Sequence, residues 1–296
     1  MTTDGPRDRT VAASNWGRWG DADQRCTTNL LSSEVVLRAL AAARLGRVYQ
    51  LGLEIKKGMP LGGPRAEPLH LMAIDGGDFA ALGREDWGAA DDYLMMATGG
   101  TTHIDGLSHM WFDGAMYNGH DFRTVRSSGA GRLGVEHIGG IVTRAHLLDF
   151  AASAPARADG VIETADVERY LADRDVTVAA GDALLFRTGW MDAALAGRER
   201  DGDQFFASVG ADVGRFVADH DIVLVGADNF AVERDPGQST NLPLHKIVLR
   251  DLGGYLVELL DLSAPAADGV TSGMLVVAPL RIHRGVNSPV NPLLVA

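Results

Sequence analysis

The segment Tyr255-Leu256-Val257-Glu258-Leu259-Leu260 restricts the fold of this chain more than any other. A continuous apolar run of this length reads as a strand covered on both faces, the environment of a buried sheet. Its fourth residue, however, is a carboxylate. An unpaired buried charge costs several kcal/mol, on the order of a domain's whole stability margin. Glu258 therefore needs a partner, and two kinds are open: a salt bridge to Arg187 or Arg250, or a metal ion.

A second stretch bears on that choice. Thr101-Thr102-His103-Ile104-Asp105-Gly106-Leu107-Ser108-His109 carries two histidines and a carboxylate, and the aromatic residues Trp111 and Phe112 follow. Imidazole and carboxylate donors suit a borderline divalent metal. Read as a strand, the stretch places His103, Asp105, Leu107 and His109 on one face by two-residue alternation. The alternative is a polar turn whose histidines satisfy local hydrogen bonds. Leu244-His245 adds a further imidazole in an apolar setting.

Strand-like runs alternate with a few helices along the rest of the chain. Ser33 is placed to cap a helix reaching about Arg44, with Glu34 in the first turn where the helix dipole favours it. Residues 48–55 alternate as a strand, and 58–67, rich in Gly and Pro, form a loop. Strands are expected over 140–150 and 183–187, joined by a helix capped by Thr164. A helix over 212–219 leads into the apolar strand 222–227, and 274–279 is another strand. These elements predict a mixed α/β core and leave its topology open.

With 46% hydrophobic residues over 296 positions the chain can bury a substantial core, and one domain over 15–296 is expected after a disordered segment 1–14. The net charge of −12 and pI near 5.1 disfavour nucleic acid or an anionic membrane as partner. Cys26 is the only cysteine, so no intrachain disulfide forms. Neither a signal-peptide core nor an apolar run of membrane-spanning length is present, which leaves the cytoplasm as the expected location.

Taken together, Thr102-His103-Ile104-Asp105 with His109, then His245, Glu258 and Asn287-Ser288-Pro289-Val290-Asn291-Pro292 resemble the cyclase family of metal-dependent hydrolases, which includes kynurenine formamidase, isatin hydrolase and trans-dienelactone hydrolase. The likeness extends to Asn15-Trp16-Gly17-Arg18-Trp19-Gly20, Asn29-Leu30-Leu31, Asp113 to Gly119 and Gly226 to Glu233, nearly the whole chain. It implies a swivelling β/β/α fold, a central mixed sheet barrel flanked by helices. By the same resemblance His103, Asp105, His245 and Glu258 are metal ligands, with Zn2+ or Mn2+ as the ion, and His109 is a proton carrier. A neutral imidazole suits that task, although a core histidine bonded to a backbone carbonyl would look the same in sequence.

The pattern also departs from the family. Four residues before His103, where the family has its first metal histidine, stands Gly99, which offers no donor; Thr101-Thr102 replaces Gly-Thr and Leu107 replaces proline. A mononuclear site is therefore expected rather than a dinuclear one, with total loss of the metal as the alternative. His70 and His120 flank the motif and could replace the missing donor. His137, His146, His220 and His283 lack partnered spacing. No Gly pair is followed by the Lys-Ser or Lys-Thr of a phosphate loop, and Ser108 lies in no Gly-x-Ser-x-Gly elbow.

Two functions follow. In one, a divalent metal and His109 hydrolyse a cyclic or aryl amide or a lactone. In the other, a metal-poor pocket binds an aromatic or polyketide-like metabolite and promotes its cyclisation or isomerisation. Trp16, Trp19, Trp111, Phe112 and Phe230 are the candidate substrate-binding aromatics, favouring a flat ring. The tryptophans of the N-terminal arm need covering, and family members commonly form dimers or tetramers, so a homodimer or homotetramer is expected, with Trp16 or Trp19 near a partner's pocket.

Overall fold

The computed structural model describes residues 14–59, 65–153, 159–197, 207–233 and 242–296. The expectation of disorder over 1–14 lies, except for Ser14, outside the described residues. Nine strands form one mixed sheet in the order Val48–Gln50, Leu293–Val295, Ser272–Val277, Ile141–Asp149, Ala183–Arg187, Leu224–Ala227, Tyr255–Glu258, His103–Asp105 and Asn287–Pro289. The sheet curls into a half-barrel flanked by helices.

Its middle four strands, from Ile141–Asp149 to Tyr255–Glu258, are parallel. Three of them, Ala183–Arg187, Leu224–Ala227 and Tyr255–Glu258, are mostly apolar runs of the sequence, and helix-bearing crossovers of the kind that cover a parallel sheet join all four. The Thr164–Ala172 helix turns Val167, Tyr170 and Leu171 inward, and Val213–Asp219 does the same with Val213, Phe216 and Val217. Both stripes follow the three-to-four-residue period of one helix face. Each outer strand is antiparallel to its neighbour.

Several boundaries differ from those read in the sequence. The first helix spans Ser33–Leu40 and is capped by Ser32, whose side chain accepts from the Val35 N–H. Ser32 has the extended backbone that an N-cap requires, whereas Ser33 is already helical. At the Thr164–Ala172 helix the cap is Glu163: its side chain and that of Asp166 each accept the other residue's backbone N–H. The strand expected over 48–55 ends at Gln50.

The strand expected through His109 stops at Asp105. Gly106 follows, its N–H donating to the Val286 carbonyl at 2.9 Å, where a Cβ would lie 2.6 Å from that oxygen and 2.8 Å from Val135 Cγ1, so no side chain fits. The chain turns instead, and the His109 N–H donates to the Gly106 carbonyl at 2.9 Å.

The Asn15–Gly20 arm packs on its own chain. Asn15 Nδ2 donates to Leu252 O, Trp16 Nε1 donates to Arg250 O, and the Arg250 guanidinium lies over the Trp16 ring. Exposed apolar surface is concentrated elsewhere, on a two-stranded ribbon of Leu69–Ile74 and Asp91–Met95. Leu71, Met72, Tyr93, Leu94 and Met95 are each at least half exposed there. Among the described residues no helix is long and apolar enough to cross a membrane.

Candidate active site

Register builds the site. In the antiparallel pairing of His103–Asp105 with Tyr255–Glu258, His103 stands opposite Glu258; on its other side Asp105 stands opposite Asn287. Directly opposed residues share a face, and so do residues two apart in a strand. His103, Asp105, Glu258 and Asn287 therefore converge. One donor atom each from His103, Asp105 and Glu258 falls within a group 4.8 Å across, and all three residues are buried.

His103 Nδ1 lies 2.7 Å from the Thr101 carbonyl oxygen, which can only accept, so the ring proton is on Nδ1 and the Nε2 lone pair faces the cluster. Nε2 is 3.5 Å from Asp105 Oδ1 and 3.6 Å from Glu258 Oε2. His103 Nε2 and Asp105 Oδ2 are both buried without a hydrogen-bond partner. Such orphaned atoms are costly unless something binds them. A divalent cation fits two lone-pair donors of this kind beside a second carboxylate.

His245 enters from the short helix Pro243–His245. Its Nε2 is 3.3 Å from Glu258 Oε1 and 3.7 Å from Asp105 Oδ2, so it adjoins the tighter three-residue group rather than lying within it. Glu233 holds it from behind. One carboxylate oxygen accepts from the Leu244 N–H at 2.7 Å; the other accepts from the His245 N–H at 2.7 Å and from Nδ1 at 2.8 Å. Burial alone would lower the His245 pKa, but the hydrogen bonds to Glu233 and Glu258 and the charges of Glu258 and Asp105 raise it to about 10. Burial and the Glu258 charge push Asp105 up, whereas Glu258, despite its burial, is held low by the hydrogen bond from His245 and its charge.

His109 reaches the cluster across the turn at Gly106 rather than along a strand face. Its Nε2 is 3.8 Å from Asp105 Oδ1, and a quarter of its side chain is exposed. Burial lowers its pKa to about 4, so the imidazole is neutral near pH 7. Asn287 braces the same corner: with its amide nitrogen turned toward the acceptors, it donates to Asp105 Oδ1 at 3.2 Å and to Val286 O at 2.6 Å.

Backbone strain accompanies these placements. Leu259, immediately after Glu258, has φ +58°, and Ala231 and Val232 have φ +67° and +57°. A β-branched residue in this region is an outlier that persists only where its surroundings demand it. The two loops secure each other, since Leu259 N donates to Asn229 O and Asn229 Nδ2 donates to Val232 O. Thr102 adds a third tie, its hydroxyl donating to Leu259 O at 2.5 Å.

The structure thus brings together His103, Asp105, His109, His245 and Glu258 from the sequence reading. The proposed arginine partners of Glu258 are engaged elsewhere, Arg187 with Asp149 and Asp192 and Arg250 with Asp251. Neither His70 nor His120 replaces the donor missing at Gly99: His70 pairs with Asp92 on the exposed ribbon, and His120 is outside the cluster. Among the aromatics, Phe230 lies next to Asn229 with the Arg65 guanidinium 5.7 Å from its ring centroid, and Trp111 stacks on Phe122 at 5.1 Å. Phe112 is half-buried in the tight turn it forms with Ala115. Trp16 and Trp19 pack with Arg250 and Arg18. Sequence reasoning assigned no role to Glu233, Asn287 or Arg65. Glu233 had a signal, a carboxylate in a short apolar surround; Arg65, in a Gly/Pro-rich loop, had none.

The model of the Cyclase family matches residues 49–234. A solved structure described as a novel cyclase is 33% identical, covers 96% of this chain and 98% of its own, and superposes with a TM-score of 0.85. The chain belongs to the cyclase family. Two more distant structures share the fold of this cyclase-family chain. An isatin hydrolase bound to the product analogue thioisatinate has 18% identity, TM-score 0.61 and coverage of 89% and 98%. A predicted metal-dependent hydrolase from Bacillus stearothermophilus has 22% identity, TM-score 0.53 and coverage of 84% and 97%. None of the proteins of curated function matches the sequence.

Proposed function

We propose that this cyclase-family chain is a metal-dependent hydrolase that opens a cyclic or aryl amide or a lactone. The observation that carries this reading is the pair of orphaned buried atoms, His103 Nε2 and Asp105 Oδ2, facing Glu258 and His245 in one cluster. His103, Asp105, His245 and Glu258 would hold one divalent ion, and their mixed nitrogen and oxygen donors suit Zn2+ or Mn2+. When bound, such an ion supplies Lewis acidity to a carbonyl and acidifies water.

The remaining residues have distinct parts. Glu233 fixes the His245 ring with Nε2 toward the cluster, and the Thr101 carbonyl does the same for His103. His109, neutral and partly exposed beside Asp105, takes a proton from water and returns it to the departing nitrogen or oxygen. Across the reaction one water is consumed: a C–O bond forms at the carbonyl carbon, the C–N or ester C–O bond breaks, and the proton ends on the leaving atom. Phe230, more than a third exposed, offers a flat apolar wall for a ring.

The assembly expected is a homodimer or homotetramer. A two-stranded ribbon with apolar residues exposed on both faces is marginal by itself, and pairing with a second copy of the chain would cover it.

Elemental analysis of protein purified without added metal, with turnover of isatin, an N-formyl arylamine and an aryl lactone measured before and after chelation, tests the reading. Stoichiometric Zn or Mn and chelator-sensitive hydrolysis are expected. An Asp105→Ala protein with full metal occupancy, or hydrolysis unaffected by chelation, would refute it.

A further inference from the structure

Where Gly99 leaves no side chain, another residue fills the space. A Cβ built on Gly99 would lie 3.0 Å from Arg65 Nη2, 3.1 Å from Arg65 Cζ and 3.2 Å from the Asn287 carboxamide. Gly99 is buried, and Asn287 is the residue that braces Asp105. The guanidinium therefore sits beside the donor cluster, in space that a side chain at 99 would compete for. The Phe230 ring lies against it as well, its centroid 5.7 Å from the guanidinium carbon.

A guanidinium is a planar fork that matches a carboxylate bidentately, and it keeps its charge at every pH the protein meets. An aromatic face next to it suits the ring of an aryl ligand. Hydrolysis of an amide or lactone releases a carboxylate within reach of the same corner. We infer that Arg65 is a specificity residue that anchors a carboxylate or developing acid oxygen of an aryl ligand while Phe230 receives the ring. A second consequence concerns metal number. The His103, Asp105 and Glu258 donor group suffices for one ion, and a fixed positive charge beside Asp105 opposes a second, so the chain should bind one divalent metal. This inference deepens the hydrolase reading and rests on it for the identity of the released acid.

Benzoate and benzamide, which differ in charge but little in shape, are the probes. Their binding to the full chain as purified, with its metal content measured, is compared by calorimetry in wild type, Arg65→Ala and Arg65→Lys. Arg65→Ala should weaken benzoate by roughly 10- to 100-fold, the range of a lost charge-assisted hydrogen-bond pair, and leave benzamide within about twofold. Arg65→Lys, which keeps the charge but loses the fork, should fall between. Equal loss of both probes would mean a merely structural role; no loss of either, or no benzoate binding to wild type, would equally overturn the proposal. Metal content by elemental analysis should saturate at one per chain in wild type and rise in the double variant Gly99→His, Arg65→Ala; two metals in wild type would overturn the single-cation consequence. Neither readout needs turnover, so absence of hydrolysis would count against the hydrolase reading alone.

Discussion

Glu233 is the residue whose removal should reveal most about how the site is held. Its carboxylate accepts from two backbone N–H groups and from His245 Nδ1, all at 2.7–2.8 Å and all buried. Glu233→Gln preserves the shape but offers a single acceptor oxygen and no charge. In either amide orientation, at least one buried N–H then faces an NH2 group. An orphaned buried donor costs about 1–3 kcal/mol. Losing the carboxylate that orients a metal histidine typically weakens metal binding by about 10- to 100-fold, about 1.4–2.7 kcal/mol. Glu233→Ala, which deprives all three donors, should cost stability at the level of a broken buried pair, roughly 3–5 kcal/mol. Chelator-competition titration with Zn2+ and Mn2+ gives the affinity, and thermal melts of the metal-free proteins give the stability. If Glu233→Gln binds metal within threefold of wild type and melts at the same temperature, the argument that Glu233 positions His245 is wrong.

Three further outcomes are expected. Asp182 is buried among Arg38, Arg144, His146 and the Ala179 N–H; burial by itself would raise its pKa, but these partners hold it below the usual carboxylate range. Its contribution is thus present above the unfolded pKa of about 3.9 and is lost as pH falls through the lower folded value, so denaturant melts below about pH 5 should show an acid slope that Asp182→Asn flattens; an unchanged slope would refute this. Gly106→Ala drives a Cβ into the Val286 carbonyl and Val135, and should cost about 1–3 kcal/mol or more with loss of metal affinity, whereas a melt like wild type would show that the two backbones separate easily. Sedimentation should find a dimer or larger, and Leu71→Lys with Tyr93→Lys on the exposed ribbon should shift it toward monomer; a concentration-independent wild-type monomer would rule the assembly out.

What could be read without coordinates was whatever depends on local pattern. The strands 183–187, apolar up to Phe186, and 224–227 carry their burial in their composition, because a strand covered on both faces is predominantly apolar. His103, Asp105 and His109 lie close together in the chain, and the conflict between Glu258 and its surroundings is visible in six residues. Capping was less legible: Ser32 and Ser33 are chemically identical, and which one caps depends on where the backbone leaves the extended region.

Only the tertiary structure could decide what happens between segments far apart in sequence. Whether His103 faces Glu258, and Asp105 faces Asn287, is a matter of strand register, and a one-residue slip would turn those side chains to the opposite face. That the turn bringing His109 in is pinned at Gly106 against Val286, distant in the chain, is likewise invisible in local pattern. Glu233 and Arg65 have the same character. A carboxylate or a guanidinium acts through the few ångströms around its charged atoms, and only the fold brings Leu244 and His245 to the one and Gly99 and Phe230 to the other.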